Sequence, residues 1–204
     1  MSERAALLAR ARRLEVFTIV WNVLEAVVSI GAGFLAGSIA LVGFGSDSVI
    51  ETASAVVVYR RVRTELEDGA VAAEASERRA VRFIGITFLV LAAGIGFESV
   101  RTLRAADRPD ESVAGIVIAA LSLIVMPLLA WRKRRVGIRL GSRALVADAK
   151  ETFVCAYLSL TLLLGLVLTA LAGWWWADAV AALAMVPFVL HEGIEALRGD
   201  DDDG

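Results

Sequence analysis

Six apolar stretches, each close to twenty residues long or somewhat longer, occupy most of this chain: roughly 16–34, 39–59, 81–100, 113–131, 145–171 and 174–197. A helix needs about 20 such residues to cross a hydrocarbon core about 30 Å thick. A chain that is 58% hydrophobic with a mean hydropathy of +0.69 is also too apolar for an ordinary soluble domain. The expected fold is therefore all-α, an integral membrane protein of six transmembrane helices over residues 1–198. Residues 199–204 read as a short acidic tail, and no soluble C-terminal domain is expected.

The basic residues set the expected topology. Of 21 Lys and Arg residues, 17 fall in the N-terminal arm, the loops after the second and fourth stretches, and the tail. Only Arg101, Arg104 and Arg108 fall on the opposite side, and Lys150 lies inside a span. By the positive-inside rule both termini are expected in the cytoplasm and the protein in the cell membrane, multi-pass. The basic loops then act as topology signals, and no nucleic-acid partner is implied. The first stretch is too long for a signal-peptide core and is interrupted by Glu25, so it reads as a retained span.

On the outer side Ala36-Gly37 and Ala172-Gly173 are expected to close two tight helix hairpins, with a solvated turn around Pro109 between spans three and four. On the inner side the segment 64–80 reads as a continuation of the second and third helices past the membrane. Trp131 and the run Trp174–Trp176 read as interfacial anchors. Gly31, Gly33, Gly94 and Gly96 are candidate points of close helix approach, and Pro127 a candidate kink.

Within these apolar segments lie two pairs of metal-capable side chains, Asp47 with Glu51 and Glu151 with Cys155, each four residues apart. That step places both members on one helix face, about one turn apart. With a rise of about 1.5 Å per residue, Asp47 and Glu51 lie about 12 and 18 Å below the outer end of span two. Glu151 and Cys155 lie about 9 and 15 Å above the inner end of span five, so the pairs overlap in depth and can form one four-ligand cage. An acid near the bilayer centre costs at least about 2.5 kcal/mol and ordinarily marks an ion path. Three carboxylates and a thiol suit zinc or cadmium, and the oxygen ligands also admit manganese or ferrous iron. A thiol loses its proton on binding metal and carboxylates regain protons on its release, which makes such a site an ion-for-proton exchanger.

The competing structural reading pairs these acids with Lys150, or with Ser46, Ser48 and Thr152, as polar glue between helices. One cation cannot neutralise three carboxylates. Cys155, the only cysteine, can make no internal disulfide and says nothing of redox compartment. Asp148 shares the face of Glu151 and Cys155 and reads as a pathway residue, as does Glu25 at mid-depth of span one. Glu98 and Asp178 lie near the outer ends of their spans, and His191 reads as interfacial. With one His, no nucleophile elbow and no phosphate loop, no catalytic constellation is present, and neither an enzyme nor an organic cofactor is expected.

The segments GSIALVGFGSDSVIE, SRALVADAKETFVC and WWWADAVAAL resemble the second, fifth and sixth spans of the cation diffusion facilitator (cation efflux) family, in its transmembrane domain. The resemblance implies six helices, a mid-membrane divalent-metal site and alternating-access export coupled to proton entry, in a homodimer. Carried over, the four ligand positions fall on Asp47, Glu51, Glu151 and Cys155, and Asp148 matches the acid in the family's ADA sequence. The chain departs from the pattern in having Glu151 and Cys155 for the usual His and Asp, Glu51 for Asp, and Phe44 in place of an acid. No counterpart of the family's cytoplasmic metal-binding domain is expected here. The expected function is export of a divalent transition metal, zinc first and otherwise cadmium, manganese, iron or cobalt. The alternative is a non-transporting metal-binding or accessory protein of the same fold.

Overall fold

In a computed structural model, described over residues 3–68, 70–105 and 112–201, the chain folds into six helices. They are α1 (Glu3–Ala36), α2 (Ile39–Asp68), α3 (Ala70–Ala105), α4 (Val113–Leu140), α5 (Arg143–Ala172) and α6 (Ala177–Asp201). No strand occurs among the described residues. Five of the helices, α1 to α5, are long and apolar enough to cross a membrane on their own, and the protein is a multi-pass membrane protein. The expectations for Arg108, Pro109 and residues 202–204 fall outside the described residues, as do the side chains of Asp178 and Glu192.

Two of the connections repeat one local solution. Gly37 and Gly141 adopt φ of 61° and 69°, left-handed values that suit a residue without Cβ just past a helix end. Ser38 and Ser142 follow them, and their hydroxyls accept from the Leu41 and Leu145 amides, each at 3.2 Å, which caps the next helix. A Gly-Ser dipeptide thus ends one helix and starts another within two residues.

Three helix boundaries differ from those expected. The segment 132–140, assigned to a basic loop, is the last part of α4, so only Gly141 and Ser142 separate α4 from α5. Likewise α1 begins at Glu3, well ahead of residue 16. Its first turns are held by ion pairs, Arg4 with Glu65 of α2, which also pairs with Arg61 at 2.8 Å, and Glu3 with Arg139 of α4 at 2.7 Å. Trp174–Trp176 form a turn ahead of α6 in place of its first residues; Trp174 and Trp176 stack at 5.6 Å and are half exposed. The continuation of α2 and α3 beyond their apolar parts is present as expected, and His191 is exposed on α6.

The helices pack most extensively as the pairs α1–α2, α3–α6 and α4–α5, with α2 and α5 meeting inside the bundle. Of the four glycines expected at close contacts, Gly33 is one: a Cβ there would sit 2.8 Å from the Val42 amide nitrogen. Gly31 and Gly94 face open space and Gly96 has only ordinary contact, whereas Gly45 meets α1 at Ile30 and Gly85 meets α6 at Gly193 and Leu197. α4 runs unbroken through Pro127. The bundle has a basic end, with the start of α1, the end of α2 and the α4–α5 turn, and a hairpin end, with the α1–α2 and α5–α6 turns.

Candidate metal site

Three helices turn polar stripes inward. On α1, Glu15, Thr18, Asn22, Glu25 and Ser29 recur every three or four residues and are all fully buried. On α2 the stripe holds Asp47, Glu51 and Ser54, and on α5 it holds Asp148, Glu151, Thr152, Cys155 and Ser159. Side chains three and four apart share a helix face, so each stripe is a single surface, and the three surfaces meet in the bundle interior.

Asp47 and Glu51 of α2 and Cys155 of α5 are buried on adjoining stripes, with Glu25 buried on the stripe of α1. Glu51 Oε1 lies 2.6 Å from the Thr152 hydroxyl, while its Oε2, like Asp47 Oδ2, is buried without a hydrogen-bond partner. Glu151, the fourth expected ligand, is turned toward α3. Its Oε1 accepts from the Thr87 hydroxyl at 3.2 Å, and it lies against Ser54. Glu25 accepts from Ser122 of α4 at 2.8 Å. Among the described residues, no three carboxylate, thiol or imidazole groups converge closely enough to hold one ion.

A cavity of about 440 Å³ between α2, α3, α5 and α6 has Asp47 in its lining. Glu98 and Arg101, 3.8 Å apart, line it toward the hairpin end. Asp47 therefore borders a cavity that extends toward that end.

The reading that pairs Lys150 with the buried acids is corrected. Lys150 lies 3.7 Å from Glu195 of α6, and both side chains are substantially exposed. A fully buried cation among these acids is Lys133 of α4, read from sequence as one of the loop residues. Its ammonium pairs with Asp148 of α5, lies 3.3 Å from Glu15 of α1 and donates to the Thr152 hydroxyl at 3.3 Å. Of the groups proposed as structural partners, Thr152 does bond Glu51. Ser46 and Ser48 instead donate to backbone carbonyls of α2. Glu15 and Asn22 were missed because span one was read only for apolar length; the 15, 18, 22, 25, 29 spacing of its polar residues carried the signal.

Residues 74–199 match the cation efflux transmembrane domain. The chain belongs to the cation efflux family. The matched stretch includes Glu151 and Cys155, and Asp47 and Glu51 lie ahead of it. The chain is also 27% identical over 175 residues to an uncharacterized transporter of Synechocystis sp., an alignment covering 84% of this chain and 56% of that protein. This cation efflux chain thus spans little more than half the length of that curated relative.

Proposed function

We propose that this chain moves a divalent transition-metal cation across the membrane, zinc first and cadmium, manganese, iron or cobalt otherwise, as export from the cytoplasm in exchange for protons. The observation that carries the reading is the burial of Asp47 and Glu51 on α2 and of Glu151 and Cys155 on the adjoining stripe of α5 inside a membrane bundle, with Asp47 lining a cavity. Besides the Arg61–Glu65 pair, six carboxyl groups, of Glu15, Glu25, Asp47, Glu51, Asp148 and Glu151, are buried among the described residues with the one ammonium of Lys133. Such an excess of acid in low dielectric attracts cations, and its charge is met by metal or by protons in turn. Membership of a cation efflux family agrees with this chemistry.

Full four-fold coordination requires Glu151 to leave Thr87. That engagement favours, as a second reading, a binding or accessory protein that holds metal without moving it.

Flux into proteoliposomes of zinc, cadmium, manganese, cobalt and ferrous iron, with and without a pH gradient, tests the proposal. Gradient-dependent movement of one metal is the expected result. Absence of all flux from folded, inserted protein, with metal binding retained, leaves the second reading. Cys155→Ser should lower affinity for cadmium and zinc by about tenfold or more and leave manganese nearly unchanged, because the thiolate favours soft ions. Equal losses for all three metals in a binding titration would remove Cys155 from the ligand set.

A further inference from the structure

A lysine with no exposed surface inside a membrane bundle requires compensation, since neither lipid nor packed side chains solvate its charge. Lys133 meets this demand from three other helices at once. Its Nζ contacts Glu15 of α1 and both Asp148 and Thr152 of α5, and Thr152 in turn bonds Glu51 of α2. One ammonium on α4 is thereby joined to α1 and α5 directly and to α2 through a single hydroxyl.

The position of this junction matters as much as its bonds. Lys133 lies seven residues before the end of α4 and Asp148 five residues after the start of α5, so both sit about 10 Å from the α4–α5 turn at the basic end. Asp47, by contrast, lines the cavity that reaches toward the hairpin end. A second cavity, of about 410 Å³ at the basic end, is lined by Val81, Ser142, Val146, Lys150 and Glu195 and by none of the six buried carboxyl groups or Cys155. An ion leaving Glu51 toward the basic end meets Thr152 and then the Asp148–Glu15 pair, where the ammonium already stands. Asp148 Oδ1 and Glu15 Oε1 are buried without hydrogen-bond partners, so the carboxylates keep unused capacity for a second cation.

We propose that Lys133 is a tethered cation that seals the basic-end route to the Asp47–Glu51–Cys155 site, and that the route opens when its ammonium leaves Asp148. What passes along the route rests on the transport reading above; whether it is sealed does not. Opening from the basic end then consists of exchanging a tethered monovalent cation for a mobile divalent one on the same two carboxylates.

Cys155 is the chain's only cysteine and is buried, so the unaltered protein carries its own reporter. The experiment is modification of Cys155 by a small cationic methanethiosulfonate reagent, applied to each face of proteoliposomes whose orientation is scored by protease access to an N-terminal tag. Lys133→Gln should raise the rate from the basic end at least tenfold and leave the hairpin-end rate within about twofold. Lys133→Arg, which keeps the cation, should restore the slow rate. A folded Lys133→Gln protein labelled at the wild-type rate, or accelerated equally from both faces as loosening would do, overturns the seal. Should that variant not fold, Lys133→Gln with Glu15→Gln removes one charge of each sign, and the same rates decide. Metal flux by the wild-type protein is measured alongside. Flux with unchanged labelling rejects the seal alone, whereas one-sided labelling without flux rejects transport alone.

Discussion

Glu51→Ala is expected to abolish metal flux and to weaken metal binding by about 100-fold or more. Glu51 is fully buried and is tied through Thr152 to Lys133. It is thus both a proposed ligand and the link between the metal site and the ion-paired side of the bundle. Changes to groups that merely orient ligands cost about 10- to 100-fold in affinity, so loss of a carboxylate ligand should cost at least as much. Glu51→Gln separates the two contributions. It keeps a hydrogen-bonding oxygen for Thr152 while removing the charge, so it should preserve the fold and still lose binding. Isothermal titration with zinc and flux in proteoliposomes check this. Wild-type affinity in Glu51→Gln would exclude Glu51 from the site.

Gly33→Ala is expected to lower the thermal midpoint in detergent by about 5 °C. The added Cβ would lie 2.7 Å from Val42 Cγ2, 2.8 Å from the Val42 amide nitrogen and 3.0 Å from the Ser38 carbonyl oxygen. Backbone atoms cannot rotate away, so the α1–α2 hairpin must open. Overpacking of this kind costs about 1–3 kcal/mol, and for a chain of this size each kcal/mol shifts the midpoint by roughly 2–4 °C. Gly31→Ala is the internal control. It lies on the same helix, with nothing within 4 Å of its added Cβ, and should be neutral or slightly stabilising, because alanine is the better helix former. Equal midpoints for the two variants would show that the hairpin does not pack through Gly33.

Much of this arrangement was readable in one dimension because membrane helices are constrained by length and periodicity. Apolar length located the helices, and four-residue spacing put Asp47 with Glu51, and Glu151 with Cys155, on the polar stripes of α2 and α5. Other features were not readable. The α4 segment 132–140 resembles a loop in composition, since four consecutive basic residues suit cytoplasmic solvent. Three of them do face outward, and Arg135 covers the Trp131 ring at 3.9 Å. Only Lys133 points inward, and its helical phase was invisible until the helix was known to continue through it.

The sequence by itself determined the membrane class, the all-helical architecture and the acidic pairs on α2 and α5. Each depends on residues near one another along the chain, where spacing and backbone geometry suffice. Tertiary structure decided the partners. Lys150, adjacent to Glu151 in sequence, points elsewhere on its helix and meets Glu195. Lys133, from another helix, meets Glu15 and Asp148, and Glu151 turns from Cys155 to Thr87. Which buried charges meet depends on the rotation of each helix about its axis and on the approach of its neighbours. Those follow from packing of the whole bundle, at places such as Gly33 and Gly45, and no local spacing encodes them.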